Sequence, residues 1–126
     1  MEKTLNQRLL DYIAASPTAF HAVDTTARAL EAAGYVPMTD HIAPGGKYYC
    51  TVNGSTLLAF RLPKGRPTGF IVTASHSDTP SFKLKDGCER KAGAYLQMNT
   101  ERYGGTLNNT WFDRPLGLAG RGRPDG

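Results

Sequence analysis

With two cysteines in 126 residues, the chain cannot carry a disulfide framework, and Cys50 and Cys88 lack the C-x-x-C spacing of a zinc ribbon or redox pair. Both are expected to be free thiols in packed positions. No stretch reaches the roughly 18 apolar residues that a membrane helix requires, and the longest candidates are broken by Arg61, Lys64 and Arg66. The N-terminal segment Met1 to Arg8 mixes charges of both signs where a secretory signal would be continuously apolar, so a cytoplasmic protein is expected. No internal repeat or low-complexity tract is present, which excludes solenoids and fibrous chains. Lysine and arginine exceed aspartate and glutamate by 15 to 11, giving a net charge of +4 and a mild preference for anions. That excess is scattered and not interleaved with aromatics, so nucleic acid is not an expected partner. What remains is ordinary globular material, 40% hydrophobic and 21% charged, enough for one modest domain burying roughly two-thirds of its unfolded surface.

The patterning predicts a helical hairpin followed by a mixed sheet, an α/β class of the α+β kind. Leu5, Leu9, Leu10 and Ile13 fall at helical spacing over about residues 4–15, and Ser16-Pro17 ends that helix. Thr18 is placed to cap a second helix whose Phe20, Val23, Ala27, Leu30 and Ala33 share one face, and Gly34 stands where a C-terminal cap belongs. From Lys47 the period changes to that of strands: 47–52, a turn at Asn53-Gly54, then 55–62. Asn-Gly supplies the positive φ values of a tight type I′ turn. Gly69 to Ser75 is a nearly continuous apolar run, expected as a strand covered on both faces and ending at His76. Two half-buried strands are expected over 82–85 and 95–100, with Asp86-Gly87 as a turn.

The sharpest chemistry sits in Ser75-His76-Ser77-Asp78-Thr79-Pro80. A histidine where a buried strand ends can bind a metal through one ring nitrogen, and a carboxylate two residues later can orient that imidazole. Spacing alone favours a plainer reading, a polar turn in which Asp78 and Ser77 satisfy exposed backbone. His21, on the second helix, and His41, in a polar loop, have no partner at ligand spacing and read as structural. Tyr48, Tyr49 and Trp111 read as packing aromatics with polar tips. Asp113-Arg114 reads as an internal ion pair or a specificity element.

Four motifs, taken in order, resemble the aspartyl aminopeptidase family of dinuclear zinc metallopeptidases, which remove acidic residues from peptide N-termini. They are Ser16 to Val23 in the helical hairpin, Pro44 to Tyr49 entering the first strand, His76 to Lys85, and Tyr103-Gly104-Gly105 through Thr110 to Arg121. The resemblance implies that His76 is the first zinc ligand and that Asp78 is the acidic, catalytic residue positioning the metal site. It implies two zinc ions in the complete centre, a peptide substrate with an acidic N-terminal residue, and assembly into a homo-oligomer. It further implies that residues 1–86 begin a catalytic domain and that 87–121 begin an inserted β dimerisation domain, with 122–126 as a disordered tail.

Members of that family are several times longer, and their remaining ligands and general base lie outside this sequence, which contains no Glu-Glu pair. Residues 121–126 leave the family pattern, so a truncation or disrupted reading frame is expected. Since a working zinc site uses about three protein ligands, these 126 residues are expected to be inactive alone. Two other readings stand beside this one: a small noncatalytic α+β interaction module, and a poorly folded remnant.

Overall fold

The protein is described here by a computed structural model covering residues 3–122. Its contacts fall into two units. One holds the residues up to Asp78 together with those from Ala119 onward, and the other is Thr79–Leu118. Of the tail expected over 122–126, Gly122 is described, exposed and in irregular structure, and the remainder lies outside the described residues.

The first unit opens with helices α1 (Leu5–Ala14) and α2 (Ala19–Ala32). Thr4 caps α1, its side chain accepting from the Gln7 amide at 3.3 Å. Lys3 and Gln7 both donate to Asp11 and hold its carboxyl below the usual carboxylate range, the Lys3 hydrogen bond contributing most. As expected, Thr18 caps α2 through the His21 amide, and Gly34 follows it at φ +81. The end of α2 is a Schellman motif: Tyr35 N–H donates to the Leu30 carbonyl and Gly34 N–H to that of Glu31, both at 2.9 Å. Lys47 donates to the Ala33 carbonyl at 2.8 Å, placing a cation on the negative end of α2.

Three strands complete this unit: β1 (Val36–Pro37), β2 (Lys47–Val52) and β3 (Thr56–Arg61). β1 runs parallel to β2, and β2 antiparallel to β3 with Tyr48 opposite Phe60. The pleat sends neighbouring side chains to opposite faces, yet Tyr48 and Tyr49 are both buried, so β2 is covered on both sides. Tyr48 packs its ring 5.6 Å from Phe60 and accepts from the Ala43 amide at 2.8 Å. Tyr49 donates its hydroxyl to Glu31 of α2 at 2.5 Å, which raises the phenol above its ordinary pKa. Asn53 and Gly54 take φ +54 and +68, and Ser55 N–H closes the expected type I′ turn on the Val52 carbonyl at 3.2 Å.

In the second unit β4 (Ser81–Ala92) and β5 (Tyr95–Tyr103) form an antiparallel ribbon, followed by a 3₁₀ turn over Asn108–Trp111. Phe82 meets Trp111 edge to face at 5.3 Å, and the buried Thr106 hydroxyl reaches the Tyr103 and Ser81 carbonyls.

Four expectations are corrected. The run from Gly69 to Ser75 is not a strand, and Phe70, Ile71 and Val72 are 90%, 100% and 83% exposed. A strand exists only beside another backbone, and no described segment pairs with this one. Asp86-Gly87 is not a turn either: β4 continues through it with a register shift between Leu84 and Glu89, the positive φ of Gly87 absorbed as a bulge, and the chain reverses after Ala92. Third, β5 is exposed along its whole length where a half-buried strand was expected. Finally, the buried residues described are Ala22, Val23, Tyr48, Tyr49 and Thr106, well short of the expected core. Even Leu5, Leu9, Leu10 and Ile13 of α1 are more than half exposed.

Candidate metal centre

The expected site residues lie in the first unit, on the irregular stretch that follows β3. His76 presents an imidazole that is 80% exposed. Its Nδ1 is 2.7 Å from the Asp78 carbonyl oxygen and 3.1 Å from Asp78 Oδ1. A carbonyl oxygen can only accept, so Nδ1 must carry the ring hydrogen and donate it. In the neutral ring that leaves the lone pair on Nε2, at the opposite edge. This is the tautomer an Nε2 metal ligand requires, with the Nδ1 hydrogen bonded to a carbonyl or carboxylate as metal-binding histidines commonly show. Asp78 therefore orients the His76 ring through its main chain and its side chain together.

Ser77, between them, points elsewhere. Its hydroxyl donates to the Ser55 carbonyl at 3.1 Å, in the turn joining β2 and β3. The polar-turn reading of this hexapeptide is thus correct for Ser77, while the His76–Asp78 pair has the geometry of an oriented ligand. The two descriptions hold side by side. No sequence pattern could have selected Ser55 as the partner, because the bond crosses 22 residues to a main-chain atom.

The other histidines lie apart from this arrangement. His21 Nδ1 is 2.8 Å from the Thr18 hydroxyl at the start of α2, and His41 sits in an exposed loop whose main chain bonds with Thr39. Both have the structural settings expected of them. Cys50 and Cys88 are free and half-buried. Asp113, at φ +54, and Arg114 form no ion pair with each other among the described residues. Zinc needs about three protein ligands in a catalytic site, and no group of three His, Cys, Asp or Glu side chains gathers among the described residues. His76 fits as one ligand, and the rest of a centre is not supplied by these residues.

One exposed histidine with a fixed tautomer does not by itself define a class of protein. Comparison with known proteins makes the class definite. The profile of the aminopeptidase I zinc metalloprotease family (M18) matches residues 12–122, and the chain belongs to that family. A probable M18 family aminopeptidase 2 of Pseudomonas paraeruginosa is 45% identical over 127 residues, covering 96% of this chain and 30% of its own length. Among solved structures, the Ape4 and Nbr1 complex has a chain matching 85% of this one with a TM-score of 0.82 and 36% identity, over 22% of that chain. The S. cerevesiae mApe1 dodecamer matches 86% with a TM-score of 0.77 and 33% identity, over 27% of that chain. The chain spans about 30% of the length of the curated relatives it matches. The helical hairpin and mixed sheet thus match part of the longer M18 structures. Among the described residues no helix is long and apolar enough to cross a membrane.

Proposed function

We propose that this chain contributes the first zinc ligand, His76, and its orienting acid, Asp78, to an aminopeptidase centre of two zinc ions that releases N-terminal residues, preferentially acidic ones. The observation that carries the reading is the Nδ1–H bond to the Asp78 carbonyl, which turns the Nε2 lone pair outward. When bound, zinc would polarise the scissile carbonyl and lower the pKa of a coordinated water. The residues of this chain hold the metal and keep the ring in register. The net charge of +4 is in keeping with an acidic substrate. On this reading residues 1–86 begin the catalytic domain and 87–121 begin an inserted dimerisation domain. A homo-oligomer is expected of the whole protein, in line with the dodecamer formed by the mApe1 relative. Alone, the chain is expected to be inactive, since no group of three His, Cys, Asp or Glu side chains gathers among the described residues.

The test is a chimera in which this chain replaces the matching stretch of the Pseudomonas relative. The chimera should release aspartate from an Asp-initiated peptide in a zinc-dependent way, faster than alanine from the matched peptide. The isolated chain should release neither. A chimera that folds and binds zinc but lacks peptidase activity would overturn the proposal.

A further inference from the structure

We infer that Ser77 is a positioning residue for His76, and that the turn between β2 and β3 is the platform it holds. The inference rests on the reading of His76 as a ligand. Between Leu62 and Pro80 the chain has no helix or strand, so no ladder of main-chain bonds fixes the ring. The Ser77 hydroxyl supplies a fixed point by donating to the Ser55 carbonyl at 3.1 Å, one residue from the imidazole.

That carbonyl is itself held. Ser55 N–H closes the turn on Val52, and the β2–β3 ladder starts immediately beyond it with Val52 opposite Thr56. Gly54, at φ +68, faces two neighbours: an added Cβ would lie 2.9 Å from Arg121 Nη1 and 3.8 Å from the Phe20 ring. Arg121 in turn stacks its guanidinium 4.4 Å from the centre of that ring, which belongs to α2. Helix, turn and ligand loop are thus linked through Phe20, Gly54, Ser55 and Ser77, and the bare Cα of Gly54 is what lets Arg121 close against the turn. Asp78 sets which ring nitrogen carries hydrogen, and Ser77 holds the loop conformation in which that bond forms.

The experiment reads the 15N ring shifts of His76 in the 126-residue chain at pH 8, with His41 as the internal reference. Wild-type His76 should sit in the Nδ1–H form. Ser77→Ala should lower the tethered-to-free ratio about fivefold, the factor for one net hydrogen bond of about 1 kcal/mol, and move the ring toward the shifts of a free imidazole. Ser77→Thr, which keeps the hydroxyl, should restore the wild-type spectrum. Gly54→Ala should reproduce the Ser77→Ala shift without touching the loop. Unchanged ring shifts in Ser77→Ala, a threonine variant that behaves like alanine, or an indifferent Gly54→Ala would each overturn the inference. A Zn²⁺ titration of the Pseudomonas chimera, where the relative's part is to supply the remaining ligands, separates it from the reading beneath. If His76 responds no sooner than His41 in the parent chimera, the ligand assignment fails. If it responds equally in the parent chimera and in its Ser77→Ala variant, the assignment survives and the positioning role is refuted.

Discussion

Tyr49→Phe isolates one of the bonds that join α2 to the sheet. The Tyr49 ring is buried in β2, and its hydroxyl donates at 2.5 Å to Glu31, near the end of α2. A hydrogen bond to a charged group is worth about 1.5–3 kcal/mol net, but Glu31 is exposed, so water screens the pair and compensates the carboxylate once the hydroxyl is gone. We expect a loss of about 1–2 kcal/mol, since phenylalanine keeps the apolar burial and only the polar contact disappears. In a chain of this size that is a fall in Tm of roughly 5–8 °C. Glu31→Gln, which leaves a neutral acceptor, should cost about half as much, and the double variant little more than Tyr49→Phe alone. The pH dependence has a definite sign. Because the phenol's folded pKa lies above its unfolded value of 10.0, the bond's contribution is fully present below that pH and is lost as pH rises through the folded value. Tyr49→Phe should therefore remove part of the alkaline loss of stability. Urea melts followed by circular dichroism give the comparison. A Tyr49→Phe chain within 0.3 kcal/mol of wild type, or strict additivity in the double variant, would contradict the packing described.

Other consequences are simpler to check. Thr18→Ala removes the α2 cap and should cost about 1 kcal/mol, measurable in the same melts, while Thr18→Ser should be nearly neutral. A methyl group at Gly46 would run into the Tyr48 ring, so Gly46→Ala should destabilise by about 1–3 kcal/mol, with Gly65→Ala, in open space, as the tolerated comparison. Ile71→Lys should reduce self-association in sedimentation, because the exposed Phe70-Ile71-Val72 run offers a second chain apolar side chains on backbone that lies outside both described sheets. Stability should stay within about 0.5 kcal/mol, since no packed contact is lost.

The parts of the fold legible in the sequence are those whose causes are local. Thr18 and Gly34 bracket α2 because a cap and a left-handed residue act within one helical turn. Asn53-Gly54 reverses the chain because only such residues accept two positive φ values in succession. What could not be read depended on partners remote in the chain. Gly69 to Ser75 has the composition of an interior strand, but composition does not provide the neighbouring backbone. The Asp86-Gly87 signal was genuine in requiring a positive φ, and tertiary pairing resolved it as a bulge while the reversal followed at Gly93. The two-residue β1 carries no pattern of its own and forms only beside β2. At the candidate site, His76 and Asp78 were legible as a pair. Which atom of Asp78 holds the ring, and the reach of Ser77 to Ser55, follow from loop geometry that no spacing encodes.

The most direct measurement is the zinc content of the Pseudomonas chimera with and without His76→Ala. We expect two zinc ions per chain in the parent chimera and the loss of at least one in the variant, together with its rate, while His21→Ala and His41→Ala keep both. A His76→Ala chimera that retains its full complement of zinc and its turnover would contradict it.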